Sequence, residues 1–181
     1  GSINYTYDNN GNMLTETSGL SNSWDYNNRL TQVVKGGVTS TYAYDESGQR
    51  VKLANGTTTT YYPSSFYNTD GTNIIKHITT PGGETVATVK GTGGSAAVFS
   101  VHVDHLTGSN AVTNSGGTLE ELMDYFPYGN VRLDQKSGSF DEQRKYAGSE
   151  LDADTGLNYM QARYYNSGIG RFVSQDPVFL T

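Results

Sequence analysis

The sequence predicts an all-β protein built as a strip of antiparallel β-hairpins. Two observations predict it: the 181 residues include 22 glycines and 14 tyrosines, and a Tyr-Asp segment recurs at a short, regular interval. Tyrosine, threonine and valine favour half-buried strands, whereas glycine, asparagine and aspartate favour the tight turns that join them. Because only 34% of the residues are hydrophobic, tyrosine must supply much of the core.

The repeated unit is a strand, a turn and a second strand. Three segments carry it, residues 5–14, 24–30 and 42–51, and their aligned tyrosines are 19 and 18 residues apart. Alternation places two aromatic rings on one face of the first strand, and the following aspartate closes the turn. A single hairpin is marginal in water, so we expect the units to stack side by side into a long twisted sheet.

The rest of the chain divides into a looser β segment and a C-terminal core. Strand-like runs around 74–78, 85–89 and 97–103 are separated by glycine-rich turns. Strand-like runs continue beyond them, and one short helix is predicted near 142–144. We therefore predict hairpin repeats over 1–60, an irregular β segment over 61–103 and a core over 104–181.

Composition excludes several classes of function. A formal net charge of −6, with scattered lysines and arginines, argues against nucleic acid as a partner. The absence of cysteine excludes disulfides, thiolate zinc sites and a cysteine nucleophile. No apolar run is long enough to span a membrane, and the Gly-Ser start is typical of an expression remnant. We expect no cofactor, and a piece of a longer secreted or bacterial cell-surface protein.

Several short segments in the second half carry a resemblance. They follow one another in a characteristic order: HLTGS at 105–109, YFPYG at 125–129, YAG at 146–148, TGLNY at 155–159, ARYY at 162–165, GRF at 170–172 and Asp176-Pro177. In this order they resemble the C-terminal repeat-associated core of the Rhs, or YD-repeat, family. The N-terminal Tyr-Asp units are similar to the repeats of the same family.

The resemblance implies a role in enclosing another polypeptide. Family members include bacterial polymorphic toxins and the C subunit of Tc toxins, in which the strip winds into a hollow shell around a C-terminal cargo. The core curls inward and closes one end. The implied partners are therefore the chain's own C-terminal cargo and an N-terminal shell strip.

The resemblance also implies an aspartyl autoprotease. Many members cut their chain once, in cis, after an Asp-Pro-x-Gly-Leu segment, which corresponds here to 176–180. Cleavage would then fall between Leu180 and Thr181 and free the cargo inside the shell. The sequence thus predicts an autoprotease. The alternative is a protein without catalytic activity.

Two aspartates correspond to the family's catalytic acids. Asp152 lies just before x-x-Thr-Gly-Leu and Asp176 lies in the Asp-Pro pair, 24 residues later. Peptide hydrolysis by carboxylates needs two acids that share a proton, so the chain must loop back to pair them. Asp154 is the alternative first acid if the register slips by two. From the residues alone, Asp152 closes a turn and Asp176 caps a strand before Pro177.

Two departures from the family pattern favour a different outcome. Many members place arginine directly before the first aspartate, where this chain has Leu151. Without a cation beside Asp152, catalysis should be impaired or its pH range changed. Phe179 replaces the glycine of the cleavage segment, where the backbone favours a small residue. Both departures favour a non-catalytic structural or adhesive module that binds glycan or a surface protein through exposed tyrosines and threonines.

Supporting roles in the core are expected for Arg163, Arg171 and Pro177. The two arginines are expected to pack across Tyr or Phe rings or to pair with aspartate. Pro177 completes the Asp-Pro pair ahead of the cleavage segment.

A metal site at the clustered histidines is not expected. His102 and Asp104 would share one face of a strand, but His105 would point away from it. Three convergent ligands are therefore missing, and the sequence predicts no metal.

Overall fold

The computed structural model describes residues 2–176, and two antiparallel sheets confirm the all-β prediction. The larger sheet is a strip of fourteen strands in chain order: β1 Tyr5–Tyr7, β2 Met13–Glu16, β3 Leu20–Trp24, β4 Leu30–Lys35, β5 Val38–Tyr44, β6 Arg50–Asn55, β7 Thr58–Ser64, β8 Tyr67–Thr69, β9 Ile74–Thr79, β10 Thr85–Lys90, β11 Ala97–Val103, β12 Ser109–Asn114, β13 Leu119–Tyr125 and β14 Val131–Lys136. The smaller sheet has four: β15 Glu150–Asp152, β16 Leu157–Met160, β17 Arg163–Asn166 and β18 Arg171–Phe172.

Helical structure in the described residues is confined to two short 3₁₀ turns, Gly93–Ser95 and Tyr146–Gly148. The helix predicted near 142–144 is wrong. There the buried carboxylate of Glu142 accepts the N–H of Arg144 at 3.0 Å, and Arg144 forms a β-bridge with Glu150. Within residues 2–176, no helix has the length and apolar character needed to cross a membrane.

An aspartate closes each repeat turn through its side chain. Oδ1 of Asp8 accepts the backbone N–H groups of Asn10 and Asn12 at 2.9 and 2.8 Å, which satisfies donors that the tight turn leaves free. The same contact to the residue four positions later recurs in three more turns, at Asp25, Asp45 and Asp104. The predicted hairpin repeat is therefore confirmed, and a fourth unit of the same design lies at Asp104.

The repeat also fixes which residue enters the core. The pairing register shifts just before each of the first three turns, a bulge that increases the local twist of the strands. The fifth residue after the aspartate then points inward: Met13 and Leu30 are each 1% exposed, and Arg50 is 4% exposed. The third unit thus places a cation where its neighbours have an apolar side chain.

The small sheet lies between the two ends of the strip. On one face, Leu157 and Tyr164 pack into the core cluster formed with the first six strands. On the other face, the ring of Tyr165 stacks on Tyr146 and its hydroxyl donates to the carbonyl of Tyr128 at 3.1 Å. Because both halves of the strip contact the same four strands, the strip curls around them.

Both edges of the small sheet are joined to neighbouring segments. The N–H of Leu151 donates to the carbonyl of Gln143 at 3.0 Å, and the carbonyl of Val173 accepts the N–H of Met13 at 2.8 Å. The strip itself runs unbroken across the predicted boundaries at 60 and 103, and the change of sheet falls between Lys136 and Glu150. The division into three segments stays a prediction.

Replacing Gly129 by alanine should lower the free energy of unfolding by about 2–4 kcal/mol, because two penalties add. Gly129 has φ +85°, and a Cβ atom there would overlap the Tyr146 ring that packs between the strip and the small sheet. Gly117 is the matched control, with φ +79° and open space around it. Its alanine variant should lose about 1–2 kcal/mol. Urea unfolding of both variants tests this, and equal losses would contradict the packing role of Gly129.

Candidate functional site

The interface between the small sheet and the strip contains a buried ion cluster. Arg50, at the start of β6, directs its guanidinium toward β15, and Nη1 lies 2.8 and 2.9 Å from the two carboxylate oxygens of Asp152. Nη2 lies 2.7 Å from Oε1 of Glu150. The side chain of Arg50 is fully buried and that of Asp152 is 3% exposed. One cation therefore faces two carboxylates, of which Asp152 is buried and Glu150 is 15% exposed.

Tyrosines enclose this guanidinium. Cζ of Arg50 lies 4.5 Å from the centre of the Tyr62 ring and 4.3 Å from that of Tyr159, within the range of cation–π attraction. Tyr62 donates its hydroxyl to Glu150 at 2.5 Å, and the hydroxyl of Tyr159 accepts the backbone N–H of Arg50 at 2.9 Å. Two rings and both terminal nitrogens thus fix the plane of the guanidinium.

The surroundings of Asp152 change its acidity. Burial raises the pKa of Asp152 to about 6, since a charged carboxylate is disfavoured away from water. Arg50 and Tyr42 lower this pKa, whereas the neighbouring charge of Glu150 raises it. Asp152 can therefore exchange a proton near neutral pH, which a surface aspartate does not do.

A tight hairpin between β15 and β16 presents Asp152 to the strip. The carbonyl of Asp152 accepts the N–H groups of Thr155 and Gly156 at 3.1 and 2.7 Å, and Gly156 has φ +73°. Nζ of Lys35 donates to the carbonyl of Thr155 at 2.7 Å and so ties this turn to β4. The backbone of Asp152 closes the turn while its side chain enters the core.

Asp152 has a cation beside it although residue 151 is leucine, contrary to the sequence-based expectation. Successive residues of a strand point to opposite faces, so a cation at position 151 would face away from Asp152. Leu151 instead lines a cavity of about 330 Å³ together with Ile75 of β9 and Ala153. The cation comes from Arg50, 102 residues upstream in the chain.

Asp176 faces a different arginine. Its Oδ2 lies 2.9 Å from Nη2 of Arg163, and the guanidinium of Arg163 stacks 3.7 Å from the centre of the Phe172 ring. The Gln175 side chain packs on Gly11 in the first repeat turn. Asp176 therefore lies at the β1–β2 end of the strip.

The two predicted catalytic acids contact different arginines and lie beside different elements. Asp152 lies against β6, and the segment that leads to Asp176 lies against β2. Four strand spacings separate β2 from β6, about 19 Å along the sheet. Asp154, the alternative first acid, is exposed and contacts Asn55. A shared proton between Asp152 and Asp176 stays a prediction.

The other predicted site residues divide into described and undescribed positions. Arg171 pairs with Asn166 in the ladder between β17 and β18, and its side chain is exposed. Pro177, Leu180 and Thr181, like Phe179, lie outside the described residues.

A second ion cluster, with Glu121 buried and Asp134 and Asp141 exposed, lies at the other end of the strip. Carboxylate oxygens of Glu121, Asp134 and Asp141 lie within 4.8 Å of one another, a spacing that a metal ion would accept. Nζ of Lys145 occupies this position, at 2.6, 2.9 and 3.1 Å from the three acids. An ammonium has three donors, so Lys145 reaches all three acids and fills the position that a metal ion would take.

His77 should make the protein less stable in acid. Burial, together with the charge of Arg144, lowers the pKa of His77 to about 3. Below its usual value of 6.5 the unfolded chain takes up a proton that the folded chain excludes, so stability falls by up to about 1.4 kcal/mol per pH unit between these values.

Thermal unfolding of His77→Asn across this pH range should show a flatter decline than the wild type. His102→Asn is the control, because His102 is exposed. Parallel curves for wild type and His77→Asn would contradict the assignment.

Sequence reasoning missed Arg50 and Glu150. The signal for Arg50 was its register: it stands five residues after the aspartate of its unit, where Met13 and Leu30 are buried. A cation at a core position of a repeat requires a buried carboxylate. Glu150 shares a strand face with Asp152, two residues away, so one arginine can reach both.

The chain is similar to segments of much longer toxins. No family model matches it. Over 95% of its length it is 32% identical to the tRNA nuclease WapA of Bacillus subtilis, and over 98% it is 26% identical to the double-stranded DNA deaminase toxin A of Burkholderia cenocepacia. It covers 8% of the first relative and 15% of the second. The chain thus spans a small part of the curated relatives that it matches.

Solved structures share the fold. The crystal structure of TcdB2–TccC3 superimposes with a TM-score of 0.74 over 97% of this chain and 12% of that one, at 19% identity. At this identity the likeness concerns the fold alone. It includes the strip and the small sheet together, since nearly the whole chain is covered.

Proposed function

Because this chain belongs to the Rhs, or YD-repeat, family of toxin-associated proteins, we propose that it forms part of a shell that holds a C-terminal cargo. The observation that carries the proposal is the position of the small sheet, which packs one face on the first half of the strip and the other on the second half. A strip that curls around its own C-terminal sheet supports a role as part of the wall of such a shell.

Experiments on the full-length protein, with shell and cargo together, test whether the shell encloses the cargo. We expect the cargo to co-elute with the shell in native size-exclusion chromatography, to resist added protease, and to separate from the shell only in denaturant. The isolated cargo is the control and should be digested quickly. A cargo that elutes separately, or is digested as fast as the isolated form, would count against enclosure. Secretion or display at the bacterial surface belongs to the same proposal.

We further propose that the chain cuts itself after Leu180 by an aspartyl mechanism. One carboxylate would take a proton from water as the water oxygen attacks the carbonyl carbon, and the other would give a proton to the leaving nitrogen as the C–N bond breaks. Asp152 suits the proton-accepting role above about pH 6, where it is ionised. Asp176 suits the second role only if the cleavage segment carries it to Asp152.

A non-catalytic module is the second candidate, favoured by the separate placement of the two acids. Asp152 contacts Arg50 on β6 of the strip, whereas Asp176 contacts Arg163 on β17 of the small sheet. Tyr26, 90% exposed at a repeat turn, would then be part of a surface for glycan or protein. A wild-type chain that stays whole, together with loss of binding in Tyr26→Ala, would favour this candidate.

A further inference from the structure

Arg50 occupies a position that the first two repeat units fill with an apolar residue. Met13 and Leu30 take the equivalent place in the two preceding units, so the fold does not require a cation there. A buried ion pair is often no more stabilising than apolar residues of similar volume. The arginine therefore calls for an explanation other than packing.

The guanidinium connects two separate parts of the fold. Arg50 belongs to β6 of the strip, whereas Asp152 and Glu150 belong to β15 of the small sheet, and the three are in contact only because the sheets are docked. The planar group binds Asp152 through Nη1 and Glu150 through Nη2. This fixed geometry sets the direction in which the Asp152 carboxylate points.

We infer that Arg50 is a positioning residue that orients the Asp152 carboxylate, and that it does so only when the small sheet is docked on the strip. The functional consequence of this inference rests on the proposed self-cleavage, in which Asp152 is one of the two acids. Closure of the strip around the small sheet would then orient the Asp152 carboxylate. Because Arg50 contacts Asp152 only when the two sheets are docked, cleavage would occur only after the strip has folded around the small sheet.

The ionisable groups around Asp152 come from several elements. Arg50 and Tyr42 favour its charged form and Glu150 opposes it. Further tyrosines surround Arg50 itself: Tyr62 of β7, Tyr159 of β16 and Tyr164 of β17. Because Arg50 is the cation in this set, its removal should weaken the acidity of Asp152 more than loss of any one hydroxyl.

NMR titration of the 181-residue chain labelled with ¹³C at aspartate carboxyl carbons tests the inference directly. The Asp152 signal is assigned by its loss in Asp152→Asn. Arg50→Met should raise the titration midpoint of Asp152 by about one pH unit or more, a tenfold weaker acid. Arg50→Lys should raise it less, because lysine keeps the charge but cannot bridge both carboxylates. Arg29→Met, which removes the partner of Asp25 in the preceding unit, should leave Asp152 unchanged.

Arg50→Lys decides the question if Arg50→Met does not fold. An Asp152 midpoint equal to that of the wild type in Arg50→Lys, or in a folded Arg50→Met, would overturn the inference. A chain extended into its native downstream sequence adds the functional readout: Arg50→Lys should cleave about tenfold more slowly near neutral pH, with its rising pH limb displaced upward. If the wild type is not cut, the proposed self-cleavage fails, while the titration still tests Arg50.

Discussion

Arg50→Met should lower the free energy of unfolding by about 3–5 kcal/mol above pH 8, because the buried Asp152 and the partly buried Glu150 would be left without their cation. The loss should shrink as the pH falls. Without Arg50 the folded-state pKa of Asp152 rises further above its unfolded value, so the variant gains stability relative to the wild type as pH decreases and Asp152 takes up a proton. Urea unfolding at several pH values measures this dependence.

Arg29→Met is the control for the loss of an arginine from a repeat unit. Arg29 binds Asp25 at 2.8 Å, but their side chains are 28% and 19% exposed. Its removal should cost less than about 1 kcal/mol at any pH. A cost for Arg50→Met that is equally small, or independent of pH, would contradict the buried cluster.

Lys145→Met should also cost about 3–5 kcal/mol at neutral pH, because its ammonium is the cation shared by three carboxylates. Glu121 is fully buried, and burial raises its pKa to about 7. Without Lys145 this acid should stay protonated to a higher pH, so the destabilisation should grow as pH rises through neutrality. Thermal unfolding of wild type and variant across this range measures the effect.

Lys136→Met gives the matched comparison. Lys136 lies 3.0 Å from Asp141 and 3.6 Å from Asp134, but its side chain is 36% exposed. The variant should lose less than about 1 kcal/mol. Equal losses in the free energy of unfolding of the two lysine variants would contradict the role of Lys145 as the central cation of the cluster.

The strip was predictable because its signals are local. Alternating tyrosines and an aspartate within a few residues determine a hairpin, and the contacts of Asp8 to Asn10 and Asn12 involve only neighbours in sequence. The small sheet was predictable as strands, but its position inside the curl was not, since it depends on which faces of a long sheet come together. That position came from the family resemblance.

The ion cluster could not be derived from spacing. Its arginine and its aspartate are 102 residues apart, and no local pattern states which buried acid meets which buried cation. Leu151 illustrates the limit: the sequence indicated a missing cation beside Asp152, whereas the fold supplies Arg50 from another sheet. The register of Arg50 within its repeat was the signal that could have shown it to be buried.

Intact mass of a chain extended past Thr181 into its native downstream sequence tests the account most directly. Asp154→Asn is the control for Asp152→Asn, because Asp154 is exposed and two residues away. We predict that the wild type and Asp154→Asn lose the extension after Leu180, and that Asp152→Asn stays whole. Cleavage of Asp152→Asn at the wild-type rate, or a wild type that stays whole, would contradict the assignment of Asp152 to self-cleavage.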